Sequence, residues 1–358
     1  MDNKKKAGIL TFHDADNLGA VLQAFALSSV LENECGVSAE IVDYKCKKIT
    51  ATKYPSRCGG IKDYIKLLPM HVYYAVKRHG FKSFRKKMLI CSEKVFTKEN
   101  VKDGAKEYDF FITGSDQVWN PECSDGDSTY ILDFVSDKRK KYSYAASIGN
   151  YELEKADSTW INAIKDYQKI SVREKSAAEQ LNNLGISEVS VHSDPVILLS
   201  DEQWKSVMSK RIIFQKYVLV YLVLPDVNVM NQAKEYAEKH NCKIINNKKS
   251  IEFILHNSPS DFLSWIYHAD CVFTNSFHGT AFSLIFNKQL FADIEMENGR
   301  INNRVYDLLS ATDSLQCAEK SIECKICNNS AEKAFENMRK SSLKYLKSIC
   351  DNIQQVGV

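Results

Sequence analysis

Four short segments hold residue types that could do chemistry, and each follows an apolar run. In Thr274-Asn275-Ser276-Phe277-His278-Gly279-Thr280-Ala281, small and polar residues surround a histidine. An imidazole can act as acid or base near neutral pH. Gly279 and Ala281 let a ligand or another backbone come close. In Ser171-Val172-Arg173-Glu174, an arginine leaves an apolar run where a helix begins. A cation at a helix N-terminus opposes the dipole. A bound phosphate or carboxylate would resolve that conflict, and so would an ion pair with Glu174 or Glu179. The segment from Gly114 to Pro121 combines a tight glycine turn, Asp116 and Trp119, which suits a sugar; taken alone, a helix cap beside a packed tryptophan is the favoured reading. In the remaining segment, His13 to Ala20, Asp14, Asp16 and Asn17 could accept hydrogen bonds from sugar hydroxyls or cap the helix that follows, and capping alone accounts for Asn17.

These segments need strand ends to hold them. Ala7 to Phe12 reads as a strand, Leu18, Val21, Leu22 and Phe25 as one helix face, and Ile41 to Tyr44 as a second strand, with Gly36 closing the helix. Further strands are expected at Tyr108–Thr113, Tyr142–Ser147, Lys169–Val172 and Glu188–His192. After Ser193-Asp194-Pro195 a second series begins, with strands at Tyr217–Leu224, Cys242–Ile245, Cys271–Thr274 and Gln289–Ile294. A helix lies around Gln232–His240, and another starts at Ser258-Pro259-Ser260-Asp261 with cap, first-turn proline and carboxylate in place. The alternation predicts an α/β protein of two doubly wound, Rossmann-like domains facing a cleft. Residues 1–195 form the first domain and 196–330 the second, and 331–358 form a helix packing back across them. Ligands in such sheets gather at the carboxyl ends of the strands, which places His278 in the cleft.

Bulk properties narrow the classes. The chain has 358 residues, 44% hydrophobic and 26% charged, so two globular cores are the default. A net charge of +3 gives no overall field for nucleic acid. One glycine in the first loop leaves the dinucleotide fingerprint absent, which argues against NAD. Eleven scattered cysteines read as reduced thiols, and the lone Cys324–Cys327 pair lacks the second pair that structural zinc needs. No metal site is expected. Lys4-Lys5-Lys6 precede an apolar run that His13, Asp14 and Asp16 soon interrupt, unlike a secretory leader. The longest apolar run, Tyr217–Leu224, is far short of the about 20 residues that span a bilayer. A cytoplasmic protein is therefore expected. Tyr64–Lys87 mixes apolar residues with Lys77, Arg78, Lys82, Arg85, Lys86 and Lys87; it is either a solvated basic helix over the core or a peripheral contact with an anionic membrane.

Six segments in order resemble the polysaccharide pyruvyltransferase family: Asn17 to Leu27, Gly114 to Pro121, Tyr144 to Gly149, Ser171 to Ser176, Asp194-Pro195, and Thr274 to Ser283. They span about residues 7 to 310. The resemblance implies a GT-B-like fold, with an acceptor side in the first domain and a donor side in the second. It implies transfer of pyruvate from phosphoenolpyruvate to two hydroxyls of a glycan or lipid-linked saccharide, giving a cyclic ketal without a cofactor. The family's cleft histidine falls on His278 and its strand-end arginine on Arg173. Arg173, which can hold the donor's phosphate, then belongs to the donor site with Asn275, Ser276 and Gly279, with Asp116, Asp14 or Asp16 available to take the hydroxyl proton and Trp119 to face the acceptor. Many members carry an arginine where this chain has Ser276; Arg300 and Arg304 are the nearest substitutes, Arg304 the better placed. Two other readings are a GT-B-like glycosyltransferase using a nucleotide sugar and a non-catalytic glycan-binding relative.

Overall fold

The computed structural model of the chain describes residues 4–51, 68–295, 302–318 and 328–355. Arg300, Cys324, Cys327 and residues 64–67 of the basic segment lie outside the described residues. The chain divides into two compact units. One comprises Met1–Arg57, Arg85–Leu198 and Met338–Val358, the other Cys58–Phe84 and Leu199–Asn337.

The first unit is built on strands β1 (Lys6–Leu10), β2 (Ser38–Tyr44), β3 (Cys91–Phe96), β4 (Phe110–Thr113) and β5 (Lys141–Ser143), in the order β3-β2-β1-β4-β5. Every pairing is parallel. Single parallel bridges, Tyr142↔Lys169 and Ala146↔Val172, continue it toward the pair β6 (Ile170–Val172) and β7 (Val189–Val191). The order reverses between β1 and β4, the point where doubly wound sheets bind ligands. Helix α1 (Leu18–Glu34) is buried along most of its length, Gln23 and Ser28 included, and ends with Gly36 at φ +66.

In the first unit, β3 and β5 differ most from the sequence reading. β3 buries only Ser92 and Phe96 well, because it is an edge strand carrying Glu93 and Lys94 outward; it shows no apolar alternation. β5 stops at Ser143 rather than Ser147, since Ala145 adopts φ +47 and breaks the ladder.

The second unit holds β8 (Tyr217–Tyr221), β9 (Lys243–Asn246), β10 (Cys271–Thr274) and β11 (Gln289–Ala292), parallel and in the order β11-β10-β8-β9. Here the reversal lies between β8 and β10. β8 is shorter than its apolar run because side-chain amides replace strand partners after Tyr221. The Asn247 carbonyl accepts from Leu222 N–H at 3.1 Å, and the Asn275 carbonyl accepts from Val223 N–H at 2.9 Å.

Among the other helices, α2 is Leu68–Met88, α3 Ser158–Lys165, α4 Lys175–Asn183, α5 Asp201–Val207, α6 Val227–His240, α7 Pro259–His268, α8 Phe277–Ile285, α9 Asn303–Ala311 and α10 Asn328–Gln355. α7 starts with a full capping box, Ser258 and Asp261 each bonding the other's backbone N–H. α2 buries Phe81 and Phe84 and turns Lys82, Lys86 and Lys87 to solvent, while Gly80 lies close against Ser258. No helix of the described residues is long and apolar enough to cross a membrane. α10 is tied to the first unit: Tyr345 donates to the Ser143 carbonyl at 2.9 Å, and Lys169 donates to Ser348 Oγ at 2.8 Å.

Candidate functional site

In the second unit the sequence after β10 forms a compact polar turn. Ser276 caps α8, its hydroxyl accepting from Gly279 N–H at 3.3 Å, so the position of the expected arginine holds a helix cap. His278 falls in the first turn of α8 and is half-buried. Gly279 is required by a close packing contact within the protein: a Cβ there would lie 2.5 Å from Thr274 Oγ1. That hydroxyl donates to the Tyr221 carbonyl at 2.6 Å and accepts from Ser276 N–H at 3.0 Å. Asn275 uses its amide to hold the loop after β8, donating to the Leu224 carbonyl at 3.0 Å.

Arg304 lies in the first turn of α9. Asn302, just before that helix, donates to the Asn275 carbonyl at 3.2 Å, which fastens the start of α9 to the His278 turn. Two residues that the sequence reading missed frame the same edge. Asp226 caps α6, and Asp293 follows β11 with its N–H on the Thr274 carbonyl at 2.8 Å. Burial and the adjoining Asp226 carboxyl raise the pKa of Asp293. Asp293 falls within the expected strand Gln289–Ile294, but nothing local pairs it with Asp226, and only the folding of the strand ends brings the two together.

In the first unit the loops after β1 and β4 meet at the reversal point, joined by Thr11 Oγ1 donating to the Ser115 carbonyl at 2.8 Å. Asn17 caps α1. Asp14 and Asp16 do not cap. Asp14 pairs with Lys45 at 2.9 Å, and Asp16 with Arg85 at 2.9 Å. His13 is buried and bonds Asp43 at 3.0 Å, and Lys45 reaches the same carboxylate at 2.8 Å. Burial opposes the charge on Asp43, but His13 and Lys45 outweigh it and hold its pKa down at about 2.

Asp116 is half-buried at φ +81, a region unfavourable to a side chain. The backbone is fixed there by Ser147 N–H and Val118 N–H on its carbonyl, at 2.9 and 2.7 Å. Ala145, just after β5, is also left-handed. Trp119 is fully buried, edge-on to Tyr167 with ring centroids 5.4 Å apart. It offers no face to a sugar, which corrects the acceptor-binding expectation for it. The turn at Asp116 carries the following residues inward, where Trp119 N–H bonds the Ser147 carbonyl.

Arg173 is the centre of a buried ion cluster, with its side chain only 5% exposed. It donates to Asp194 at 2.7 Å, to Ser147 Oγ at 3.0 Å and to Glu174 at 3.2 Å. Burial works against its charge, but Glu174, Asp194 and Asp116 prevail and raise its pKa above the usual range. Its carboxylate partners are Asp194 and Glu174; the sequence reading named Glu174 and Glu179 and missed Asp194.

The model of a family described as polysaccharide pyruvyl transferase matches residues 17–292. No curated protein matches. Solved structures similar to the chain include a Staphylococcus aureus MnaA–UDP complex, with 12% identity, 98% of this chain and 92% of that one covered, and a TM-score of 0.44. A UDP-GlcNAc 2-epimerase of Neisseria meningitidis bound to UDP-GlcNAc gives 8%, 97%, 94% and 0.44. A UDP-GlcNAc 2-epimerase of Methanocaldococcus jannaschii gives 12%, 92%, 98% and 0.42.

Proposed function

This chain belongs to the polysaccharide pyruvyl transferase family, and from that premise we propose that it moves a pyruvyl group from phosphoenolpyruvate onto two hydroxyls of a glycan. The product is a cyclic ketal on a saccharide acceptor, free or lipid-linked, and the reaction uses no cofactor. The observation that carries the reading is the placing of His278 in the first turn of α8, at the strand end beside the β8–β10 reversal. A helix N-terminus favours an anion, and phosphoenolpyruvate carries a phosphate and a carboxylate. Arg304, fastened to the same turn through Asn302, supplies a cation to one of them.

Ketal formation adds a proton to the methylene carbon of the enol phosphate, and the first sugar hydroxyl attacks the cationic carbon so formed. Phosphate then departs with its bonding electrons, and the second hydroxyl closes the ring. Of the two hydroxyl protons, one offsets the proton placed on the methyl group and one leaves with phosphate or solvent. His278 delivers the first proton. Asp116, held in its turn by the Ser147 and Val118 N–H groups, accepts one from the acceptor. Arg173 is a positioning residue: through Ser147 and Asp194 it holds the strand ends next to Asp116.

The test is phosphate release from phosphoenolpyruvate with a panel of saccharide acceptors. His278→Ala is expected to lower the rate by about a hundredfold or more, the usual range for a lost acid, with the unfolding midpoint unchanged. A variant keeping more than about a tenth of the rate refutes the role of His278. No release with any acceptor refutes the donor.

A further inference from the structure

The first unit contains a cavity of about 560 Å³ at the carboxyl ends of β2 and β3, and we infer that it binds a neutral, hydroxyl-rich stretch of the saccharide acceptor; the inference rests on the transfer reading above. Its volume lies in the range of small-molecule sites. It lies on the carboxyl-end side of the parallel sheet, the side on which such sheets bind ligands, although at β2 and β3 and not at the β1–β4 reversal.

The wall chemistry decides the ligand class. Lys45, Lys47, Lys48 and Lys98 line the cavity together with Glu99, Asp125 and Asp127, so cations and carboxylates nearly balance. Much of that charge is already matched within the protein. Lys45 is held by Asp14 and Asp43, Lys47 lies 3.8 Å from Glu99, and Asp127 accepts from the Tyr44 hydroxyl at 2.6 Å. A net anion finds little unmatched charge there. A sugar, whose hydroxyls each donate and accept, finds ammonium donors, carboxylate acceptors and the Thr50 and Thr97 hydroxyls interleaved. Ser124 also lines the cavity, and its hydroxyl is buried without a hydrogen-bond partner.

The cavity is also coupled to the loop after β1. Lys45 and Thr50 line it, and both bond the Asp14 carboxylate. Asp14 thus belongs to the cavity wall's support, and acceptor recognition falls to the wall itself.

Ala51 is an exposed lining residue, so Ala51→Trp fills the cavity without disturbing the core. The full chain is probed with an array of neutral di- and trisaccharides, and hits are titrated by calorimetry against wild type, Ala51→Trp, Lys98→Ala and His278→Ala. Near-ultraviolet circular dichroism checks each fold. Affinity is expected to fall at least tenfold in Ala51→Trp and severalfold in Lys98→Ala, and to stay within twofold in His278→Ala. The KM for phosphoenolpyruvate is expected to be unchanged in Ala51→Trp. Unchanged saccharide affinity in Ala51→Trp overturns the inference, as does the absence of any hit at millimolar concentration. Binding only of phosphorylated saccharides, displaced by inorganic phosphate, also overturns it. Saccharide binding that Ala51→Trp abolishes, with no phosphate release from phosphoenolpyruvate in any arm, overturns the transfer reading alone.

Discussion

Replacing Arg173 by methionine separates two roles that an arginine at this strand end can have. Methionine keeps an unbranched apolar stem of similar reach and removes the guanidinium. The loss strips a hydrogen-bonded cation from Asp194, whose side chain is 0% exposed, and from Glu174, at 8%. One Glu174 oxygen already lacks a hydrogen-bond partner, so that carboxylate has no reserve of bonds to fall back on. Breaking a buried ion pair from one side costs about 3–5 kcal/mol, because the partner charge stays buried. For a unit of this size each kcal/mol is roughly 2–4 °C of melting temperature, so a fall of about 6–20 °C is expected. The assay is paired thermal and urea unfolding, with phosphoenolpyruvate titrated into the folded protein by calorimetry. Adding Asp194→Asn to the Arg173→Met background should recover part of the loss, since one stranded charge is removed. A fall below about 2 °C, together with tenfold weaker donor binding, would refute the positioning role and make Arg173 a donor ligand.

Arg304→Ala is expected to weaken phosphoenolpyruvate binding by about 2 kcal/mol, roughly thirtyfold; unchanged affinity in calorimetry would place the donor's second anionic group elsewhere. His192 is packed against Tyr144 and Tyr345, and burial lowers its pKa to about 4 from the ordinary 6.5. The folded state therefore holds this histidine neutral while the unfolded state protonates first. Its contribution is full above about pH 6.5 and is lost as the pH falls toward 4, a difference of roughly 3 kcal/mol. Urea midpoints measured from pH 7 to 4 should fall more steeply in wild type than in His192→Phe. Gly279→Ala puts a Cβ 2.5 Å from Thr274 Oγ1, which forces the α8 start away from β10. It should lower turnover more than stability, read as a kcat loss exceeding any change in unfolding midpoint.

The alternation of apolar runs and helix patterns in the chain was enough to determine an α/β protein with two parallel sheets. It located Cys271–Thr274 as a strand and Ser258 as a helix cap, because burial and capping leave local marks. The order of six short segments was enough to determine the family. Edge strand β3 escaped, since a strand exposed along most of its length has no apolar period to read. What only tertiary structure decided is which polar residues are already engaged by the protein. Arg173, Asp14 and Asp16 are the types a ligand site needs, yet their partners are Asp194, Lys45 and Arg85, which lie 21, 31 and 69 residues away. Trp119 is buried because a left-handed Asp116 turns the chain inward, and no local pattern specifies that turn. A charge or an aromatic ring becomes a site only where the fold leaves it unmatched, and that depends on pairings between distant segments.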